Sequence, residues 1–276
     1  MEQAWPMSSE LRPLPLNDSE FRRLQQLMTD ASGMILAPNK RLLAAGRLLT
    51  RLRHYRLDSY ADYLHLLDQQ MNLKEQRLVV DLLTTHETYF FREHPHFDYL
   101  GEWLSAQKGP LKLWSAACSS GEEPYSLAMV AQEHARDGDW SVLASDLSPS
   151  MLEKARDGLY DMTQAKYFPQ GWLHRHCLGD SGEPNGRFQV QAALRERVSL
   201  REINIVQPLP DDLGLFDVIF LRNVLMYFTH DEKQRTVQRL VNQLRPGGLL
   251  FIGHAESIHG FDVPLRLLNP SVYKRL

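Results

Sequence analysis

Residues 114–126 read WSAACSSGEEPYS and constrain the fold more than any other part of the chain. An apolar strand leads there into a loop with one glycine, Gly121, and then into a helix whose first turn carries Glu122 and Glu123. A strand, a tight loop and a helix in this order predict an open α/β sheet. Such a sheet binds adenosine-containing ligands at the carboxyl ends of its strands.

The two acids indicate the charge of that ligand. A pyrophosphate at a helix N-terminus binds to bare amides and glycines, and the carboxylates of Glu122 and Glu123 would repel it. A ligand with a positive end would be attracted instead. S-adenosylmethionine carries a sulfonium and an ammonium group, so the segment favours this cofactor over a dinucleotide.

The second part of the chain alternates between strand and helix patterns. Strands are predicted over residues 111–115, 140–145, 216–222 and 249–253, and helices over residues 123–135, 148–157 and 231–244. This alternation predicts a parallel, doubly wound sheet. Residues 168–198 break the pattern, and Phe188, Val190 and Ala192 alternate as in a strand. We expect an inserted antiparallel hairpin there, with a long irregular loop as the alternative.

The first part of the chain reads as a helical domain over residues 16–84, after a flexible arm at residues 1–15. Asn17 and Gly33 have the residue types that begin and end a helix. Asn39 is expected to cap a second helix. A third is predicted over residues 59–70, and Asn72 with Glu75 resembles a capping box for a fourth. We expect residues 85–276 to form the catalytic domain.

The composition excludes several classes of protein. The chain has 276 residues with a formal net charge of -3, so no general attraction to nucleic acid is expected. Its two cysteines form neither a disulfide framework nor a metal-ligand cluster. No apolar run approaches the roughly 18 residues of a membrane span. Without a secretory signal at the N-terminus, a cytoplasmic location is expected.

Three polar residues follow predicted strands, where ligands bind. Asp146 could accept the ribose hydroxyls of an adenosine, or it could cap the next helix. Glu123 could contact the cofactor, or it could complement the dipole of its own helix. Asn223 could bind the cofactor or close a turn.

Three long motifs carry a family resemblance. They read TTHETYFFRE (residues 84–93), WSAACSSGEEPYS (residues 114–126) and FDVIFLRNVLMYF (residues 216–228). Together they resemble the CheR-type chemotaxis-receptor methyltransferases. The resemblance implies a class I methyltransferase (Rossmann-like) α/β sheet, a small all-α N-terminal domain and an inserted antiparallel β-subdomain. It also implies S-adenosylmethionine-dependent esterification of glutamate side chains on bacterial chemoreceptors, with S-adenosylhomocysteine as product.

The resemblance also implies a set of cofactor contacts. They fall on His86, Thr88, Arg92, Glu123, Asp146, Asn204, Ile205, Asn223 and Val224. The family often has asparagine where this chain has His86, whose charge varies near neutral pH.

Arg92 and Tyr227 are the candidate catalytic residues. A glutamate side chain, with an ordinary pKa of about 4.3, is already a carboxylate at neutral pH, so no general base is required. Arg92 can orient that carboxylate by a forked contact, and Tyr227 can add a hydroxyl bond. A core position beside Leu225 and Phe228 explains Tyr227 equally well.

A run of basic residues suggests how the substrate is recognised. Residues 39–57 contain six basic side chains and no acid. Lys40, Arg47, Arg51 and Arg53 are the predicted substrate-binding residues, because a basic helix would attract a glutamate-rich helical bundle. A solvated charged face is the alternative. Nucleic acid is disfavoured because aromatic residues typical of single-strand platforms are missing.

Other functions remain open at this point. A methyltransferase acting on RNA or a small molecule, or a non-catalytic scaffold, would retain the same sheet. In some relatives the insertion docks a receptor C-terminal peptide by strand addition, but here the stretch from Cys177 to Arg187 is longer and differently composed. Membrane contact is expected only through the receptor.

Overall fold

The computed structural model describes residues 15–69, 73–179 and 186–276. The chain divides into two compact units, Met1–Thr84 and Thr85–Leu276. The arm expected over residues 1–15 lies outside the described residues, apart from Pro15.

The described residues of the first unit form four α-helices. They are α1 (Asp18–Ser32), α2 (Arg41–Tyr55), α3 (Tyr60–Asp68) and α4 (Leu73–Leu83). Asn17 and Glu20 form a capping box at the start of α1, and Gly33 ends the helix with a left-handed φ of 71°. Both ends of α1 are therefore as predicted.

The second helix begins later than predicted. Asn39 lies within a 3-10 turn, Pro38–Lys40, and α2 starts at Arg41 without a side-chain cap. Pro38 fixes its own φ near the helical value, so the backbone already turns before Asn39. The other expected cap, Asn72, lies outside the described residues.

The core of the first unit lies between α1, α3 and α4, with α2 packed on α4. Phe21, Leu24 and Met28 are buried on one face of α1, as the 3.6-residue period predicts. Leu27, expected on the same face, is half-buried.

The described residues of the second unit form ten strands and six helices. The strands are β1 (Leu111–Ala116), β2 (Trp140–Asp146), β3 (Leu159–Asp161), β4 (Cys177–Gly179), β5 (Arg187–Val190), β6 (Val198–Glu202), β7 (Phe216–Leu221), β8 (Leu244–Ile252), β9 (Leu265–Asn269) and β10 (Val272–Arg275). The helices are α5 (Pro95–Ala106), α6 (Glu122–His134), α7 (Pro149–Asp157), α8 (Trp172–His176), α9 (Ala192–Arg195) and α10 (His230–Asn242).

Seven strands make the main sheet, in the order β6-β2-β1-β7-β8-β10-β9. The first five in this order are parallel neighbours, which confirms the predicted α/β sheet. Strands β9 and β10 add an antiparallel hairpin at the other edge that was not predicted. Leu113, Val218 and Phe251 are fully buried, as expected for strands covered by helices on both faces.

The strand β8 begins at Leu244 rather than at the predicted Leu249. Leu244 pairs with Phe216 and Leu249 with Val218, so the register shifts between them. A Cβ on Gly248 would lie 2.8 Å from the carbonyl oxygen of Asp217. Glycine at this position therefore lets the two strands approach closely.

An antiparallel subdomain is inserted in the chain between α7 and α9, as the fold class predicts. It has three strands in the order β3-β5-β4, and we call these strands with α8 the β-subdomain. The first strand, Leu159–Asp161, lies before the predicted bounds of 168–198. Phe188 and Val190 are buried in β5, whereas Ala192 starts α9.

Phe90 joins the segment 84–93 to the β-subdomain. This side chain is fully buried, and its ring centroid lies 4.8 Å from that of Tyr160, 4.6 Å from that of Phe168 and 5.6 Å from that of Phe188. The subdomain therefore packs directly against one of the three sequence motifs.

None of the described helices combines the length and apolar character that crossing a bilayer requires.

Candidate active site

The carboxyl ends of four neighbouring strands bring most of the predicted cofactor residues to one edge of the sheet. Asn204 and Ile205 follow β6, Asp146 ends β2, Glu123 follows β1, and Asn223 follows β7. Because these strands are hydrogen-bonded neighbours in that order, the residues lie along a continuous crevice edge.

The loop of residues 117–121, between β1 and α6, has an unusual backbone. Ala117, Ser119 and Gly121 all have positive φ, at 71°, 49° and 101°. The amides of Ala117 and Cys118 donate to the carbonyl of Ser145 at 2.8 and 2.9 Å. The loop contains one glycine, but three of its residues, at alternating positions, have the positive φ that is usual for glycine. Left-handed backbone at non-glycine residues is concentrated at functional sites.

Gly121 is required by close packing against the β-subdomain. A Cβ there would lie 2.6 Å from the Tyr160 hydroxyl and 2.8 Å from the Cβ of Ala155. The Tyr160 hydroxyl also donates a 2.8 Å hydrogen bond to the carbonyl of Ser120. This side chain of β3 therefore holds the loop of residues 117–121, which we call the cofactor loop, although sequence reasoning did not identify it.

Asp146 has a structural task besides its predicted ribose role. Its two carboxylate oxygens accept the amide of Ser119 at 2.8 Å and the amide of Ser148 at 2.9 Å. Ser148 is the N-cap of α7. The carboxylate thus connects the cofactor loop with the start of α7, and the ribose contact stays a prediction.

Glu123 is paired with a hydroxyl and a guanidinium. One carboxylate oxygen accepts the Ser115 hydroxyl at 2.7 Å and the other accepts Arg222 at 3.0 Å. Burial raises the pKa of Glu123, and the charge of Arg222 opposes that rise. Glu122 is buried, with its carboxylate on the Ser120 hydroxyl at 2.7 Å.

Arg222 is the centre of a buried charge network that sequence reasoning missed. Its side chain is 1% exposed and also binds Glu93 at 2.9 Å and the carbonyl of Arg92. Two carboxylates, Glu93 and Glu123, share this one guanidinium, so the formal charge of the three groups is -1. The sequence signal that could have identified Arg222 is a basic residue directly after an apolar strand whose two faces are both buried.

Glu93 extends the network to the neighbouring loops. Its second oxygen accepts the side-chain amide of Asn223 at 3.1 Å and the backbone amide of His254 at 3.2 Å. Burial alone would raise the pKa of Glu93, but the charge and hydrogen bonds of Arg222, with those of Asn223 and His254, lower it overall. The carboxylate therefore stays ionised and fixes the side chain of Asn223.

Glu93, His96 and His254 place their ligand atoms within 4.8 Å of one another. The oxygens of Glu93 already accept hydrogen bonds from Arg222 and from the two loops. Burial first, and then the charge of Arg222, lowers the pKa of His96 to about 3. A divalent cation would be repelled by the guanidinium, and we assign no metal to this cluster.

The segment 84–93 is anchored to the cofactor loop and to α6. The carbonyl of His86 accepts the Ser119 hydroxyl at 3.3 Å, and the amide of Phe91 donates to the Ser126 hydroxyl at 3.0 Å. Thr88 is half-buried in the same segment. The segment that carries His86, Thr88 and Arg92 therefore contacts the loop of residues 117–121 and α6, and the cofactor contacts of these three residues stay predictions.

Arg92 is held at one nitrogen and by one aromatic ring. Its Nη1 donates to the carbonyl of Glu87 at 2.7 Å, and its guanidinium carbon lies 5.7 Å from the centroid of Tyr89. Tyr89 in turn stacks on Tyr167, which lies between β3 and α8, with ring centroids 4.4 Å apart. Within the described residues no other hydrogen bond engages this half-buried guanidinium. Its remaining N–H groups can bind an anion.

Val224 and Tyr227 lie in the turn that follows β7. Val224 is buried, and Tyr227 is half-buried at the end of the 3-10 turn Leu225–Tyr227. In the described part of the chain, the Tyr227 hydroxyl has no hydrogen-bond partner. Asn204 accepts the amide of Val206 at 3.2 Å through its side chain, and Ile205 is buried.

The predicted substrate-binding residues of α2 separate into two groups. Arg47 donates to the carbonyls of Leu82 and Thr84 at 2.9 and 2.8 Å, at the end of α4. Arg51 forms two 2.7 Å hydrogen bonds with the buried carboxylate of Glu75, and this pairing is the largest cause of its raised pKa. Both side chains therefore stabilise the helical unit, because neighbouring helices lie within their reach.

Lys40 and Arg53 are exposed and remain candidates for recognition. Lys40 ends the 3-10 turn before α2, whereas Arg53 lies on α2. Leu42 and Leu43 of α2 are 86% and 41% exposed. Leu42 and Arg53, with Gly46 and Thr50 between them, follow helical spacing along one exposed face of α2. This face combines apolar and basic side chains.

These features fit a cationic adenosine cofactor. The surplus negative charge around Arg222 favours a positive group. Asp146 supplies acceptor oxygens at the end of β2. A pyrophosphate would face Glu123 and Glu93 instead.

Comparison with known proteins identifies the family. Residues 19–84 match the model "CheR methyltransferase, all-alpha domain" and residues 86–273 match "CheR methyltransferase, SAM binding domain". The chain is 37% identical over 262 residues to the chemotaxis protein methyltransferase of Salmonella typhimurium, covering 94% of this chain and 91% of that protein. The protein of the same name from Escherichia coli is also 37% identical over 262 residues, with 94% and 92% covered.

Chemotaxis protein methyltransferase 2 of Pseudomonas aeruginosa is 36% identical over 259 residues, with 92% of each chain covered. These matches confirm the family and the cofactor that the three motifs predicted. The chain belongs to the CheR methyltransferase family, and its second unit is an S-adenosylmethionine-binding methyltransferase domain.

Proposed function

We propose that this protein transfers the methyl group of S-adenosylmethionine to glutamate side chains of bacterial chemoreceptors, forming methyl esters. The observation that carries the proposal is Arg92. Its guanidinium is oriented by Glu87 and Tyr89, yet N–H groups remain available. Arg92 belongs to the segment 84–93, in which the carbonyl of His86 contacts the cofactor loop. Such a group suits an anionic acceptor such as a carboxylate.

The acceptor needs orientation more than activation. A glutamate with an ordinary pKa of about 4.3 is ionised at neutral pH, and S-adenosylmethionine supplies an electrophilic methyl group on a sulfonium. Arg92 would hold one carboxylate oxygen and leave the other free to react. The Tyr227 hydroxyl would donate to the same carboxylate. Alignment of the reacting pair at about 3 Å is the main contribution expected of the protein.

The cofactor-binding residues have distinct tasks in this proposal. Asp146 would accept the ribose hydroxyls, Asn204 and Ile205 would line the base side, and Glu123 and Asn223 would meet the amino-acid end with Thr88 and Val224. His86 would add one hydrogen bond. Arg222 and Glu93 hold Glu123 and Asn223 in place.

The substrate would be the glutamate-rich helical bundle of the receptor, bound by α2. Lys40 and Arg53 are exposed cations that attract a surface rich in carboxylates, and Leu42 supplies apolar area. Arg47 and Arg51 would contribute only indirectly, by keeping α2 folded on α4. The protein would work in the cytoplasm and meet the membrane only through its receptor.

The β-subdomain is the place to test for a second contact, with a receptor C-terminal peptide. Among the strands that the structure describes, β4 pairs with β5 alone, and its Leu178 is 60% exposed. A peptide could extend this strand by backbone hydrogen bonds. Calorimetric titration with receptor tail peptides tests this contact. If no peptide gives a heat of binding, methylation does not require a receptor tail.

The central experiment is transfer of radiolabelled methyl from S-adenosylmethionine to receptor-containing membranes. A methyl ester releases its label as methanol in base, whereas label that is stable in base would indicate a nitrogen or RNA acceptor. Cofactor binding without transfer would favour a scaffold. Arg92→Ala should reduce transfer far more than cofactor affinity. Arg266→Ala, at an exposed position of β9, is the control. Near-normal turnover of Arg92→Ala would remove Arg92 from catalysis.

A further inference from the structure

The carboxylate of Glu256 is hydrogen-bonded to the turn that carries Asn223 and Tyr227. One oxygen accepts the amides of Gly253 at 2.7 Å and Asn223 at 2.9 Å, and the other accepts the amide of Met226 at 3.3 Å. Three backbone N–H groups from two loops thus converge on one side chain.

This carboxylate is bound by backbone dipoles instead of a cation. Within the described residues no lysine, arginine or histidine forms an ion pair with Glu256. Converging amides next to a residue of positive φ make an anion-binding concavity, and Asn223 has a φ of 59°. Burial raises the pKa of Glu256, and the amides of Gly253, Asn223 and Met226 oppose that rise.

Gly253, Asn223 and Glu256 are packed closely together. A Cβ on Gly253 would lie 2.6 Å from the side-chain nitrogen of Asn223 and 2.9 Å from a carboxylate oxygen of Glu256. Asn223 is therefore held on two sides. Glu256 binds its backbone amide, and Glu93 binds its side-chain amide.

We infer that Glu256 is a positioning residue for the methyl transfer. Its carboxylate fixes the turn of residues 223–227, so that Asn223 is presented to the cofactor and Tyr227 to the acceptor. The inference rests on the proposed function, because it assigns Asn223 and Tyr227 their roles there. The turn's own backbone hydrogen bonds run from Tyr227 to Val224 and from Phe228 to Leu225 and do not include the amide of Asn223, which Glu256 binds.

Glu256→Gln tests the inference, because the amide is isosteric but brings an N–H group toward N–H donors. We expect the Kd for S-adenosylhomocysteine to rise about tenfold and kcat at saturating cofactor to fall about tenfold, the effect of losing one charge-assisted hydrogen bond. Asp217→Asn is the matched control. Asp217 is the second residue of β7, and its carboxylate accepts the amide of Lys112 at 2.8 Å and binds Arg245.

The control should lower Tm while leaving Kd and kcat within about twofold of the wild-type values, because it acts at the opposite end of β7. A folded Glu256→Gln protein with unchanged Kd and kcat would overturn the inference, whatever its Tm. If this variant does not fold, Glu256→Asp retains the charge with a shorter reach. We expect about threefold changes in both constants, and wild-type values would again overturn the inference. Wild-type protein that fails to bind S-adenosylhomocysteine would instead refute the proposed function.

Discussion

Replacing Gly121 by alanine would measure how tightly the β-subdomain holds the cofactor loop. At a φ of 101°, an L-residue costs roughly 1–2 kcal/mol. The new Cβ would also lie 2.6 Å from the Tyr160 hydroxyl and 2.8 Å from Ala155, and overpacking of this kind costs about 1–3 kcal/mol. The free energy of unfolding should therefore fall by about 2–5 kcal/mol in total.

Gly109→Ala separates the two contributions. Gly109 also has a positive φ, of 80°, but a Cβ there would meet no atom within 4 Å. Only the backbone cost of roughly 1–2 kcal/mol is expected. The difference between the two variants is thus the cost of crowding Tyr160 and Ala155. Tyr160→Phe in the Gly121→Ala background should recover part of it, because the nearest atom is the hydroxyl oxygen.

Tryptophan fluorescence during urea unfolding is a suitable assay. Four of the five tryptophans, Trp103, Trp114, Trp140 and Trp172, lie in the second unit. The assay is run in a Trp5→Phe background, so that the remaining signal reports the unit that contains the loop. Calorimetry with S-adenosylhomocysteine at low temperature would show whether the folded variant still binds the cofactor. If Gly121→Ala unfolds no more easily than Gly109→Ala, the loop yields freely and the packing argument is wrong.

Four further variants test charges in the two units. Arg222→Met should destabilise the second unit by about 3–5 kcal/mol in the same urea assay, since it leaves two buried carboxylates unpaired; a loss below about 1 kcal/mol would show that water reaches them. Arg51→Met should destabilise the first unit by about 3 kcal/mol in hydrogen exchange, whereas Arg53→Glu should leave its stability unchanged and reduce receptor methylation. His96 has a pKa of about 3 when folded, below its ordinary value near 6.5, so it gains a proton on unfolding. Stability should therefore fall from about pH 6.5 towards pH 3 by up to roughly 1.4 kcal/mol per pH unit, and urea titrations of His96→Gln should show a flatter slope.

Local patterns predicted those parts of the fold that depend on neighbouring residues. The cap at Asn17, the end at Gly33 and the central strands follow from hydrogen-bonding chemistry and periodicity within a few residues. The strand β3 was missed because three residues are too few to show alternation. The early start of β8 was missed because its register depends on the partner strand β7.

The site was predictable only in part, for the same reason. Glu123 and Asn223 could be proposed from the sequence because residues that follow parallel strands lie at the ligand-binding edge. Arg222 and Glu256 were not found, since their partners come from loops distant in sequence. The assignment of Arg51 to substrate binding overlooked Glu75, which only the packing of α2 on α4 brings within reach.

The burial of Phe90 among Tyr160, Phe168 and Phe188 has a consequence for protein engineering. Deleting the insertion to obtain a minimal enzyme would leave a large aromatic ring without neighbours, next to the loop that Tyr160 holds. Chimeras between relatives should therefore exchange the insertion together with residues 84–93. A grafted insertion would otherwise meet a mismatched surface around Phe90.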